Sequence, residues 1–190
     1  MDTLLEVKNL EVNFYTETSV IRAVRGVSFH LEAGDTLAVV GESGCGKSVL
    51  CKSIAGILHQ RGRVDNGEIL LHGTSLTALS RREMDKIRGR KIGMVFQDPM
   101  TSLDPTYTIG EQIAEAVRAG KKMEKREAKA RALNLMELVG IDNPEERYRQ
   151  YPCHFSGGMR QRAVIAIALA GEPELLIADE PTTALDVTIQ

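Results

Sequence analysis

The eight residues Gly41-Glu42-Ser43-Gly44-Cys45-Gly46-Lys47-Ser48 constrain this chain more than any other stretch of it. They fit the pattern G-x-x-x-x-G-K-[S/T], directly after the apolar run 36–40 and directly before a helical pattern over 46–57. From average composition, a chance match to the four specified positions is expected on the order of once in thirty thousand starting points, so an incidental Gly-rich turn is set aside. What such a sequence serves is an anion. Glycines let the backbone turn tightly enough to aim successive N–H groups at phosphate oxygens, and the N-terminus of the next helix adds positive potential. Lys47 would reach the β- and γ-phosphates as a point charge, and the Ser48 hydroxyl would ligate Mg²⁺, which keeps most of its waters. The run 36–40, bounded by glycines, is predicted to be a buried parallel strand.

Strand and helix signals alternate around this loop. Residues 4–14 and 23–31 alternate apolar with polar side chains and are rich in Val and Leu, which predicts strands in an antiparallel N-terminal portion. Gly67 introduces a short strand at 68–71, and Gly73 marks a turn. Ser80-Arg81-Arg82-Glu83 has capping-box spacing, and 92–96 reads as a further strand. Between Asp98 and Phe155 two amphipathic helical stretches follow, 109–119 and 122–139, the second ending near Gly140. A buried-strand pattern returns at 175–178. The order is that of an α/β fold with a helical insert. Lys121, Lys122, Lys125, Arg126, Lys129 and Arg131 are interleaved with Glu124 and Glu127, and read as a solvated helix face.

Two more segments carry chemistry. The run 175–178 delivers Asp179 and Glu180 to a strand end, where, paired with a phosphate loop, Asp179 can hold Mg²⁺ through water and Glu180 can polarise an attacking water. Phe155-Ser156-Gly157-Gly158-Met159-Arg160-Gln161-Arg162 is a small turn that enters the apolar helix 163–170. Ser156 can cap that helix, and the N–H groups of Gly157 and Gly158 make a second anion-binding N-terminus. One nucleotide does not need two such sites in one chain unless the second serves a nucleotide held by a partner. Cys45, inside the loop and beside Lys47, is in surroundings that favour a thiolate; it reads equally as a small residue filling a tight turn.

These three elements in this order resemble the ABC ATPase family, where they are the Walker A loop, the signature motif and Walker B. The resemblance implies a P-loop NTPase core with an N-terminal antiparallel β portion and a helical insert. Its parts would be 1–97 with Walker A, 98–160 ending in the signature, and 161–190 returning to the core. It implies that Gly41, Glu42, Ser43, Gly44, Cys45, Gly46, Lys47, Ser48 and Val49 surround the phosphates of ATP. Gln97 resembles the Q-loop glutamine, a metal ligand with Ser48 and Asp179, and a catalytic group with Lys47 and Glu180. Ala184-Leu185-Asp186 looks like the D-loop, and Phe14, with Tyr15 as the alternative, sits where the family places an aromatic ring against adenine. Two such subunits would face head to tail, Ser156, Gly157 and Gly158 of one completing the γ-phosphate site of the other. The helical insert would pass the motion to transmembrane permease subunits, with an extracytoplasmic solute-binding protein acting indirectly. Stretches 97–105, 155–162 and 179–190 are similar to subunits that power oligopeptide and dipeptide importers, with nickel importers close by. Phe155 stands where the wider family usually has Leu, as is common in the peptide branch, whereas Cys153-His154 departs from that branch's usual pair.

Composition excludes other classes. A net charge of −2 and a pI near 6.1 supply no basic field for DNA or RNA. The longest apolar run, 163–170, is far short of the ~20 residues of a membrane-crossing helix. The acidic N-terminus lacks the features of a secretion signal, so the chain is expected to stay in the cytoplasm, and the resemblance implies that it is held peripherally at the cytoplasmic face of the cell membrane. Cys45, Cys51 and Cys153, with no C-x-x-C pair, read as free thiols, and His30, His59, His72 and His154 lack metal-ligand spacing. The resemblance also implies a switch histidine and a further strand downstream of Ala184-Leu185-Asp186. Neither falls within the 190 residues, so the chain is expected to be a fragment of a longer active subunit, with its sheet open at the centre. The alternative is a truncated nucleotide-binding module without turnover.

Overall fold

The computed structural model describes residues 3–120 and 123–181, so Lys121, Lys122 and Ala184-Leu185-Asp186 lie outside the described residues. The chain divides into two compact units, Met1–Lys86 and Ile87–Gln190.

In the first unit, β1 (Thr3–Tyr15) and β2 (Val20–Glu32) form the expected antiparallel pair. With β3 (Gly62–Leu71) and β4 (Thr74–Ser75) they make a four-stranded sheet in the order β2-β1-β3-β4. Leu5, Val7, Leu10 and Val12 of the central β1 are buried, and the alternation changes phase at Asn9, whose φ of 44° marks an irregularity in the register. Gly67 lies opposite this kink. A Cβ there would overlap the carbonyl oxygens of Lys8 and Asn9, so Gly67, with φ 88°, sits inside a ten-residue strand rather than ahead of the short one expected at 68–71.

The run 36–40 does not form the predicted buried strand. It has no regular structure, and Leu37, Val39 and Val40 are 47%, 44% and 88% exposed. A parallel strand is held only by hydrogen bonds to its neighbours, and no described strand pairs with this segment. Apolar character without a partner strand leaves it irregular and exposed. The helix that follows, α1 (Lys47–Ile54), is shorter than the expected 46–57. Gly56 adopts φ 65°, and the Gly56 and Ile57 N–H groups donate back to Ser53 and Lys52, closing the helix in a left-handed cap. One arm of the capping box forms: Glu83 Oε2 reaches back to accept from the Ser80 N–H at 2.8 Å and from its hydroxyl at 2.6 Å, ahead of α2 (Arg81–Ile87), while the Glu83 N–H donates to the Ser80 carbonyl.

In the second unit, β5 (Ile92–Val95) and β6 (Leu175–Ala178) pair in parallel, Ile92 opposite Leu175 and Val95 opposite Ala178. Around them stand α3 (Pro99–Ser102), α4 (Ile109–Gly120), α5 (Lys125–Leu138), α6 (Pro144–Arg147) and α7 (Gly157–Leu169). The core joins Ile109, Ile113 and Val117 of α4 to Ala128, Ala132, Leu135 and Met136 of α5, and both to Ala163, Val164 and Ala166 of α7. These i, i+4, i+8 spacings, with Leu135 at i+7 on α5, are the amphipathic stripes that predicted α4 and α5. The basic face of α5 is exposed at Lys125, Arg126 and Lys129, while Arg131 pairs with Glu172 at 3.0 Å. No helix among the described residues is long and apolar enough to cross a membrane.

Candidate functional site

The predicted site residues fall in both units. Phe14 and 41–49 belong to the first; Gln97, 156–158, Asp179 and Glu180 belong to the second.

Gly41, Glu42, Ser43, Gly44 and Cys45 form an exposed turn, and Gly46, with φ 102°, is the N-cap of α1. A Cβ at Gly46 would overlap the Ala23 carbonyl and sit 3.9 Å from Val24 Cγ2, so only glycine lets the loop close down on β2. At the other end of the loop, a Cβ on Gly41 would lie 2.7 Å from Cys45 Sγ, so the exposed thiol occupies the space above Gly41. Lys47 Nζ donates to the carbonyl oxygens of Gly41 and Glu42, both at 2.8 Å. The loop is therefore wrapped around its own ammonium, which concentrates positive charge at the mouth of α1. Ser48 and Val49 are half-buried in the first turn, anchored by the buried Leu50.

The sheet register connects this loop to Phe14. Val12 pairs with Val24, the residue that the loop approaches, and Phe14 lies two residues further along β1, roughly 7 Å at strand rise. Phe14 pairs with Ile21 and Gly62, and its ring rests on Gly62, where a Cβ would be 2.9 Å from Cε1. The alternative aromatic, Tyr15, is 40% exposed and donates its hydroxyl to Asp65 Oδ2 at 2.6 Å. Asp65 was not singled out in the sequence because its contact with Tyr15 spans 50 residues and carries no local pattern.

In the second unit, the pairing of Val95 with Ala178 brings two chain segments out side by side past the carboxyl ends of parallel strands, where open parallel sheets place their ligands. The Asp179 N–H donates to Val95 O at 3.0 Å, and Asp179 is only 4% exposed. Glu180 adopts φ 51°, a sparsely populated conformation for a non-glycine residue that costs on the order of 1 kcal/mol. In that conformation its Oε2 accepts a hydrogen bond from Gln97 Nε2 at 2.6 Å. Two residues 83 positions apart, both predicted to be catalytic, are thus in contact.

The α7 N-terminus is built as expected. Ser156 Oγ accepts from the Met159 N–H at 3.3 Å, Phe155 is buried and anchors the turn in the core, and Ser156 and Gly157 are exposed. Arg160 Nε donates to Pro152 O at 2.8 Å, tying the first turn of α7 to the segment before it. Next to Pro152, Cys153 Sγ lies 3.6 Å from His154 Nδ1. Among the described residues no group of three or more His, Cys, Asp or Glu side chains could hold a metal ion by itself.

A glycine-rich loop opening a helix, and a carboxylate pair leaving a parallel strand, are the parts of a phosphate-binding α/β protein. Residues 24–183 match the ABC transporter family, and the chain belongs to it. The chain is 57% identical over 188 residues to the oligopeptide transport ATP-binding protein OppD of Bacillus subtilis, covering 98% of this chain and 52% of that protein. It is also 57% identical over 190 residues to the dipeptide transport ATP-binding protein DppD of Lactococcus lactis, covering 100% of this chain and 54% of that protein. It thus spans about half the length of the curated relatives it matches. Among solved structures it is similar to the dimeric ATP-binding cassette MJ0796 in a post-hydrolysis state bound to ADP and Pi. That match has a TM-score of 0.89 at 29% identity, covering 98% of this chain and 78% of that one.

Proposed function

We propose that this chain is the ATP-binding and ATP-hydrolysing portion of a motor subunit in an ABC importer for dipeptides or oligopeptides. The observation that carries the catalytic part is the Gln97–Glu180 hydrogen bond at the carboxyl ends of β5 and β6. It fixes the orientation of the one exposed carboxylate that follows a buried one, as a group that positions a water must be fixed. The peptide assignment is supported by the names of the relatives, OppD and DppD, each matched over 98% or more of this chain.

In this reading the loop 41–49 wraps the phosphates of ATP with main-chain N–H groups, and Lys47, already held at the loop by two carbonyls, adds its charge to the β- and γ-phosphate oxygens. Ser48, Gln97 and Asp179 offer only hydroxyl, amide and carboxylate oxygens, the donor set that suits Mg²⁺. When bound, the metal would supply positive charge to the phosphate oxygens. Glu180 orients the attacking water and accepts its proton. Phe14 stacks on adenine. Ser156, Gly157 and Gly158 present an exposed helix N-terminus to the γ-phosphate held by a second, head-to-tail ATPase subunit, a role supported by the dimeric state of the MJ0796 cassette. The segment 98–160 would transmit the motion to permease subunits at the cytoplasmic face of the membrane.

The test separates binding from turnover. The purified chain is expected to bind ATP with Mg²⁺, and Lys47→Ala to weaken that binding by about tenfold or more, as loss of a charge-assisted contact does. In the assembled transporter, Glu180→Gln is expected to keep ATP binding and lower kcat by about a hundredfold or more. Absence of ATP binding by the full-length protein with Mg²⁺ would sink the reading. Undiminished hydrolysis in Glu180→Gln would remove Glu180 from it.

A further inference from the structure

We propose that Asp65 is a positioning residue for nucleotide-base recognition: with Asn13 and Tyr15 it forms a clamp on one face of the sheet that sets Phe14 on the other. The proposal rests on the reading of Phe14 as the adenine-stacking ring.

The geometry is that of a bulge put to use. On passing from Glu11 to Val12, the β1 register on β3 jumps from Asn66 to Val64, which leaves Asp65 as the extra residue. Such bulges re-aim a side chain beside a site. Asp65 Oδ2 receives two donors from β1, Asn13 Nδ2 at 2.5 Å and the Tyr15 hydroxyl at 2.6 Å. Arg63 adds a third contact, its guanidinium carbon 5.6 Å from the centre of the Tyr15 ring. Asn13 and Tyr15 are two apart on one strand and so share a face; Phe14, between them, points to the other. There its ring lies on Gly62, the only residue type that leaves room for it, because a Cβ would come within 2.9 Å of Cε1 and 3.2 Å of Cζ. Past this point the strand ladder ends: Tyr15 N–H donates to Arg61 O, and the chain then turns at Thr16 and Ser19. The backbone here is held on both sides, Phe14 by Ile21 and Gly62 and Tyr15 by Val20 and the Arg61 carbonyl, so what the clamp adds is side-chain order. Its two charge-assisted hydrogen bonds, from the residues on either side of Phe14, fix the local twist of the strand and with it the direction in which the Phe14 ring leaves the sheet.

Among the described residues the clamp's hydrogen bonds run only between Asn13, Tyr15 and Asp65 and none reaches the phosphate loop, so its effect must pass through the base. This gives it a signature that general destabilisation lacks. Dissociation constants for Mg-ATP and for inorganic tripolyphosphate with Mg²⁺ would be measured on the chain and on Asp65→Ala, Asp65→Asn, Tyr15→Phe, Phe14→Ala and the Phe14→Ala/Asp65→Ala double variant. Asp65→Ala and Tyr15→Phe are expected to weaken ATP binding by roughly fivefold, with tripolyphosphate binding unchanged within about twofold. Asp65→Asn, which keeps an acceptor for Tyr15, is expected to restore most of the affinity, and the double variant to bind ATP no more weakly than Phe14→Ala alone. Equal weakening of both ligands, fully additive effects of the two substitutions, or unchanged ATP affinity would each overturn the proposal. Should Asp65→Ala fail to fold, Tyr15→Phe decides by the same criteria. If the unmodified chain binds tripolyphosphate and ATP equally well, and Phe14→Ala changes neither, the adenine role of Phe14 fails, and the clamp proposal with it, while the phosphate site stands.

Discussion

Gln161 is fully buried on α7, yet neither its amide nitrogen nor its amide oxygen has a hydrogen-bond partner among the described residues. An unsatisfied buried amide costs about 1–3 kcal/mol, more than a well-packed apolar side chain of the same size would. Gln161→Met, nearly equal in volume and flexible enough to fill the same space, is therefore expected to raise stability by about 1 kcal/mol. A urea midpoint that rises at constant m value would show this, and a midpoint that falls would mean that the amide is satisfied by something it meets in the working protein. At this scale the sequence was legible where a motif fixes chemistry and illegible where only packing does. Lys47, Asp179 and Glu180 stand out because each follows a diagnostic local pattern. Gln161 and Asp65 do not, because burial on α7 and a bulge facing β1 are set by residues far away in the chain.

The elements show which local signals survive tertiary structure. On α4, Gly110 faces the ring of Tyr148 so closely that a Cβ would fall within it. The ring cannot simply withdraw, because the Gly110 N–H donates to the Tyr148 carbonyl at 3.0 Å and Ile109 N–H to Gln150 O at 2.9 Å, fastening the two segments together. Gly110→Ala should gain helix propensity, less than about 1 kcal/mol, and lose more to overpacking, which typically costs about 1–3 kcal/mol. The expected result is a lower melting midpoint. Tyr148→Leu in the same background should recover part of the loss, and a neutral Gly110→Ala would show that the ring has room to move. Helices α4 and α5 were legible because their stripes are long and each packs against α7 in the manner its own sequence dictates. The run 36–40 was misread because periodicity reports that a segment is apolar, not that strands flank it. The bulges at Asn9 and Asp65 were invisible for a related reason: the two-residue period shows which face a side chain takes, but a register jump depends on the partner strand.

Across the whole molecule, the ionisable groups with displaced pKa values predict a two-sided pH response shared by both units. The Tyr15 hydroxyl bound to Asp65, the Ser80 hydroxyl bound to Glu83, and the Thr106 hydroxyl bound to Asp104 hold those carboxyls below their ordinary values of 3.8, 4.5 and 3.8. Each binds its proton less readily in the folded protein than in the unfolded chain. The stabilisation it contributes is complete above the ordinary value and is lost as pH falls through the lower, folded one. The tyrosines run the other way. Bonding to Asp65 raises Tyr15 above 10.0, and burial raises Tyr148 above the same value. Their contribution is complete below pH 10.0 and is lost as pH rises through the folded value. Tyr15, Asp65 and Glu83 lie in the first unit, Asp104 and Tyr148 in the second, so neither limb of the curve belongs to one unit alone. Stability measured by urea unfolding should hold a plateau from about pH 5 to 9 and fall on both sides. In Glu83→Gln/Asp104→Asn, which keeps hydrogen-bond acceptors but removes two of the displaced protons, the acid limb should become shallower between about pH 5 and 3 while the alkaline limb stays as it was. An acid limb of unchanged slope would place the proton uptake at other carboxylates, and a change in the alkaline limb would mean that the tyrosines respond to these two groups through the fold.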